Sequence, residues 1–281
     1  MHVKVEIISD FSCPWCYVGV KRLESALDQL KEDGEVEAHV EFFPFRIDPA
    51  TADGGEDYMA YNERRWGSDG WTQSLRRQGA PDGCSFANWK WWPNSLQAHA
   101  AVCAASSAVD AFVELSKKQR EKDQKEKKEG GEDKDKGEMP LEREGSEVKA
   151  IERTRLITAL QLNLVLALLR RVYEEGGNVS SAKDVEEVVA RSGWEGEGKG
   201  EIRDLSMQLL QEPSTKSALI DKVITLERSA KRDLKVTGVP MFLIGPADAR
   251  GRRKSAPTGH SGAQPTSVLL AAIKQAAQGS L

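Results

Sequence analysis

The chain changes hydrophobic period at one point near its start, and two cysteines stand at that point. Val3-Lys4-Val5-Glu6-Ile7-Ile8 alternates apolar and polar residues as a half-buried strand does. Asp10 to Ser12 break the run. From Tyr17 onward Val20, Leu23, Leu27 and Leu30 recur at three- and four-residue intervals, the spacing of one helix face. Cys13-Pro14-Trp15-Cys16 therefore opens a helix that follows a strand. Unpaired backbone N–H groups and the positive end of the macrodipole favour an anion there, so the Cys13 thiolate is favoured. Cys16 lies one turn further in, placed to attack a mixed disulfide formed through Cys13. Pro14 suits the first helical turn, where no N–H donor is needed. A thiol-disulfide redox centre is the leading reading. No second CxxC or HxxxH follows, and Cys84, Cys103 and the four histidines are scattered, so no metal site is expected.

At 281 residues the chain is long enough for one large domain or two small ones. Its net charge of -4 supplies no general electrostatic case for nucleic acid or an anionic membrane. Met1-His2-Val3-Lys4-Val5 enters the first strand without the charged and apolar regions of a secretory signal, and a cytoplasmic protein is the expectation. The most apolar stretch, Leu160 to Leu169, is interrupted by Gln161 and Asn163 and is too short to span a bilayer. In a reducing compartment a CxxC is more often catalytic than structural.

Glu35 to Phe42 alternates again, with Val36, Ala38, Val40 and Phe42 on one side, and predicts a second strand parallel to the first. From Thr51 to about Glu212 strand signals disappear. Leu96 to Leu115 and Ile151 to Tyr173 predict long helices, and Ser180 or Ser181 caps another that stops at Gly193. Between the long helices, 116–149 is dominated by charged residues, Gln and Gly. It predicts a mobile surface insertion, with a solvated helix at its start ended by Gly130-Gly131. The α/β signal then returns. Leu219, Val223, Leu226 and Ala230 mark a helix face, Val239 to Ile244 a short buried strand, Lys254 to Thr258 an edge strand, and Pro265 opens a last helix. The expected organisation is an α/β fold whose halves, 1–50 and 213–281, are separated by an inserted all-α subdomain, 51–212.

Four segments in order carry a resemblance: Asp10 to Gly19 around the CPWC, Asn94-Ser95-Leu96-Gln97-Ala98-His99, Thr237-Gly238-Val239-Pro240, and Ser261-Gly262-Ala263-Gln264-Pro265. Together they resemble the FrnE-like branch of DsbA-type oxidoreductases, which have a thioredoxin fold split by a helical insertion. The resemblance covers nearly the whole chain except the charged insertion. It implies a redox-active disulfide at Cys13 and Cys16, and a cis Val239-Pro240 peptide facing the cysteines with the Val239 backbone offered to a bound polypeptide. Pro14, Trp15, Val239 and Pro240 are then the substrate-binding residues, and no bound cofactor is required. Trp15 stands where periplasmic DsbA enzymes often carry histidine, which leaves the direction of electron flow to the reduction potential.

The implied partners are protein or small-molecule thiols and disulfides. A rival resemblance is to kappa-class glutathione transferases and 2-hydroxychromene-2-carboxylate isomerases, which share the split architecture but typically place serine at the position matching Cys13. Glutathione accordingly stays open as reductant or ligand. His99 and Asn94 are candidates for tuning the redox centre, with a hydrogen-bonded interior role the alternative for His99. Trp66, Trp71, Trp89, Trp91 and Trp92 either pack or line a groove, and Cys84 and Cys103 read as free buried thiols rather than an auxiliary pair.

Overall fold

The computed structural model of the chain describes residues 1–129 and 141–279. The alternating first run forms β1 (His2–Ser9), and the amphipathic run after the cysteines forms α1 (Pro14–Asp33), which ends at Gly34 in the left-handed conformation. β2 (Glu37–Pro44) returns parallel to β1, with Val3 opposite Ala38 and Ile7 opposite Phe42. The central sheet is completed late in the chain by β5 (Met241–Pro246), antiparallel to β1, and β6 (Thr258–Ser261), antiparallel to β5. Its order is β2-β1-β5-β6.

Val3, Val5, Ile7, Val40, Phe42, Phe242 and Ile244 share one core with Leu23, Leu27 and Leu30 of α1 and with Leu269 and Ile273 of α9 (Thr266–Gln278). Burial of this continuous apolar face is the main force holding the crossover on the sheet.

The last two strands differ from their sequence positions. β5 starts at Met241, because Val239 and Pro240 form the approach to the strand and Pro240 has no N–H for a ladder. The edge strand begins at Thr258, where the expected segment ends. Lys254 N–H instead closes a turn onto Pro246 O at 3.0 Å, and Pro257, which has no donor, sits just outside the ladder.

Between the halves of the sheet lie α2 (Tyr58–Trp66), α3 (Thr72–Gly79), α4 (Leu96–Glu129), α5 (Leu141–Tyr173), α6 (Ala182–Arg191), α7 (Lys199–Gln211) and α8 (Pro213–Arg232). Two short paired strands interrupt this helical region, β3 (Glu56–Asp57) and β4 (Trp91–Trp92), too brief to leave an alternating signature. Ser181 caps α6 by accepting from Asp184 N–H at 3.3 Å. Helix α4 runs through the charged sequence as far as Glu129, and α5 is helical from Leu141; the rest of the expected mobile insertion, 130–140, lies outside the described residues.

The segments Leu96–Asp123 and Ala150–Tyr173 reach the length and hydropathy of a membrane span, which the sequence reading did not anticipate. The most apolar 18-residue stretch of each is more than half buried against the rest of the protein, as in core helices. Helix α5 also covers the outer edge of β2. Thr158 Oγ1 accepts from Val40 N–H and Gln161 Oε1 from Phe42 N–H, both at 2.9 Å, so this edge offers no free ladder at those positions.

Candidate active site

Both cysteines sit at the carboxyl end of β1, where the sheet hands over to α1. Cys13 is the N-cap residue, in extended conformation and making no side-chain cap bond; Pro14 takes the first helical position. All four cysteines are unpaired thiols. The pair is asymmetric. Cys13 is 6% exposed and Cys16 fully buried, so an incoming sulfur meets Cys13 first. Burial, followed by the neighbouring Cys13, pushes the Cys16 thiol well above its ordinary pKa, although the Ser9 hydroxyl and the Asp10 N–H favour its anion. Asp10 N–H lies 3.4 Å from Cys16 Sγ.

The Val239-Pro240 peptide is cis, and Cys13 Sγ–H points at Val239 O at 3.6 Å. This close approach depends on Gly19. A Cβ at that position would lie 2.9 Å from Pro240 Cγ and 3.2 Å from Phe242 Cζ. Pro14, Trp15, Val239 and Pro240, assigned to substrate from the sequence, thus share one end of the sheet with the cysteines. Trp15 and Val239 are half-buried, while Pro14 and Pro240 are buried.

Beneath the turn lies a carboxylate, Asp10, that breaks the first strand and is no candidate site residue on sequence alone. Asp10 is fully buried. It accepts from Ser12 N–H at 3.2 Å, Ser12 Oγ at 2.6 Å, Ile47 N–H at 2.7 Å and Ser95 Oγ at 2.5 Å, and His99 Nε2 stands 3.6 Å from its Oδ1. Burial alone would raise its pKa; His99, the Ile47 N–H and Ser12 outweigh that, and the carboxyl titrates below the usual aspartate value. The spacing Asp10-x-Ser12-Cys13 was the available signal, since an acid two residues before a serine can close the turn by itself.

His99 therefore faces Asp10 rather than the cysteines. Among the described residues its Nε2 has no other polar partner. Asn94 is tied elsewhere. Its side chain donates to Thr51 O at 3.0 Å and accepts from Leu96 N–H at 3.2 Å at the start of α4, so it holds the helix rather than the cysteines. The neighbouring Ser95 is the residue that reaches the site.

Tyr173, also unmarked in the sequence reading, is fully buried and donates to Phe11 O at 3.0 Å. Burial and the nearby Cys13, Cys16 and Asp10 raise its pKa well above the tyrosine norm, so it stays a neutral donor. Its ring stacks on Tyr17 at 5.7 Å and meets Trp89 edge-on at 4.9 Å. Of the tryptophans, Trp89 and Trp92 are core residues, Trp71 and Trp91 are half-buried, and Trp66 is 57% exposed. Cys84 and Cys103 are separately buried, which pushes their thiols up to about 12 and about 11 and leaves them inert near neutrality.

Residues 4–124 match the family of DSBA-like thioredoxin domains. The fold is DsbA-like. In this DsbA-like fold the helices α2 to α8 form the insertion between the two halves of the sheet. The probable DsbA oxidoreductase of Streptomyces coelicolor superposes with a TM-score of 0.56 at 22% identity, covering 100% of this chain and 92% of that one. A candidate protein disulfide isomerase of Nitrosomonas europaea superposes with a TM-score of 0.52 at 11% identity, covering 99% of each. At these identities the likeness is one of fold. No curated protein matches the chain.

Proposed function

We propose that the protein is a DsbA-like thiol-disulfide oxidoreductase acting through the Cys13-Cys16 pair. The observation that carries this reading is the convergence of an outer and an inner thiol with the Val239-Pro240 segment at one helix start. In the reducing direction the Cys13 thiolate attacks one sulfur of a substrate disulfide, forming a mixed disulfide and releasing the other sulfur as a thiolate. Cys16 then loses its proton and attacks Cys13 Sγ. The second substrate thiolate leaves, the substrate has gained two electrons, and Cys13-Cys16 is the disulfide. Oxidation of a substrate dithiol is the same sequence reversed, and the potential of the pair against its surroundings decides between them.

Val239 O presents a backbone acceptor beside Cys13, which suits an extended polypeptide. The proposed substrates are accordingly protein disulfides or thiols, with glutathione as the small-molecule reductant. The expected result is reversible dithiol-disulfide conversion across a glutathione redox series, followed by mass spectrometry. Cys13→Ser should abolish insulin reduction, whereas Cys16→Ala should accumulate a mixed disulfide. Full activity of Cys13→Ser would overturn the proposal.

The glutathione-transferase reading has a weaker footing, because a thiol rather than a hydroxyl occupies position 13 and a second thiol lies behind it. Turnover of a small electrophile that survives Cys16→Ala would favour it.

A further inference from the structure

The opposite end of β1 carries a second cluster of chemistry, about 23 Å from the redox turn at the rise of a β-strand. In the parallel register His2 pairs with Glu37 and Lys4 with His39, so His2, Glu37 and His39 project from the same face of two adjacent strands. His2 Nδ1 lies 3.2 Å from His39 Nε2 and 3.7 Å from Glu37 Oε2, and the three ligand atoms all fall within 4.8 Å of one another. The imidazole rings are 8° from parallel with centroids 5.3 Å apart, which sets them edge to edge as a hydrogen-bonded pair, so the more exposed His2 ring must turn for both lone pairs to meet one ion. His39 is buried, whereas His2 and Glu37 are each about one-third exposed, which gives the cluster one fixed ligand and an opening to solvent.

We propose that His2, Glu37 and His39 bind one divalent ion of the zinc class, through His2 Nδ1, His39 Nε2 and a Glu37 carboxylate oxygen, with water completing the shell. Zinc-nitrogen bonds of about 2.0 to 2.1 Å in a tetrahedral shell separate two ligand atoms by about 3.3 Å, close to the spacing of the two imidazole nitrogens. Two imidazoles and a carboxylate are a borderline donor set, which favours such an ion over calcium or magnesium.

Arg155 competes for Glu37, at 2.6 and 2.9 Å, but its side chain is 63% exposed and the pair is a weak surface one that the carboxylate can leave. Lys4, another cation on this face, is already held by Glu6 and Glu41. The bound ion would clamp the beginnings of β1 and β2 without entering the thiol chemistry. None of this is visible in the spacing of the residues along the chain, because the strand register creates it.

The test is calorimetric titration of Zn2+ into the untagged full chain, stripped with EDTA and oxidised so that Cys13 and Cys16 form a disulfide and cannot chelate. The expected result is one equivalent bound. His2→Ala and His39→Ala should each weaken binding about 100-fold or more, and Glu37→Gln about tenfold, since even outer partners of metal ligands are worth 10- to 100-fold. His39 is buried, so a melt in EDTA reports whether that variant folds; His2→Ala, at the exposed strand start, keeps the test decisive if it does not. Absence of binding, leaving the histidines as a simple hydrogen-bonded pair, would overturn the proposal. Undiminished binding in His2→Ala would do the same.

Discussion

Asp10 ties three separate parts of the chain together at the redox turn. It is a fully buried carboxylate whose partners come from its own turn (Ser12), from the loop after β2 (Ile47) and from the start of α4 (Ser95 and His99). A buried charge is tolerable only with such a complete set of donors. Asp10→Asn turns an amide N–H₂ toward groups that are themselves donors. The expected loss is about 3 kcal/mol of stability, read from urea unfolding of the reduced protein. A change under about 0.5 kcal/mol would show that the network contributes nothing to the fold. His99 was legible from sequence as a residue near the redox centre, but the acid it faces was not, because a lone Asp after a strand is indistinguishable from an ordinary turn former.

Helix α1 positions the chemistry by two features at its first turns. Its N-terminus carries Cys13, and its face at Gly19 lets the Val239-Pro240 segment come close enough for Val239 O to meet Cys13 Sγ. Gly19→Ala keeps the helix, and alanine even has the better helix propensity, by about 1 kcal/mol. Against that, the added methyl sits 2.9 Å from Pro240 Cγ and must push the segment aside, at a cost of about 1 to 3 kcal/mol. The expected outcome is a modest net loss of stability with a larger loss of insulin-reduction rate, because the displaced segment is the one proposed to receive substrate. Unchanged kinetics would separate the Val239-Pro240 segment from catalysis.

This element was readable in advance. Period, proline and CxxC spacing are local, so the boundaries of β1 and α1 differ little from those expected. The edge strand near residue 258 was misplaced because its limits depend on pairing with β5, not on its own pattern.

At the scale of the whole molecule, buried carboxylates tie distant parts of the chain together. Glu227 on α8, 5% exposed, bonds Arg46 beyond β2 at 2.8 Å and Lys231 at 2.5 Å. Burial would raise its pKa, but the two cations outweigh that and lower it, as the donors around Asp10 do for that residue. A carboxyl whose folded pKa is lowered contributes stability that is complete above its unfolded value, near 3.9 for Asp and 4.3 for Glu. The contribution is lost as pH falls through the lower folded value. Stability should therefore be nearly level with respect to these groups from pH 7 to about 5 and fall steeply below about 4. Circular dichroism across that range would check it. A loss centred between pH 5 and 7 would mean that histidines, not these acids, govern acid unfolding.

The sequence by itself determined the strand-turn-helix around Cys13 and Cys16, the split α/β organisation and the long helices, since each is written in local periodicity and in residues with restricted backbone choices. Only the tertiary structure decided which residues surround the thiols. Asp10, Ser95 and Tyr173 reach the site from positions up to 163 residues apart (173 − 10), and His2 meets His39 through strand register. Such contacts arise because the sheet and helices must bury one continuous apolar face, and the polar groups brought together by that burial must then satisfy one another.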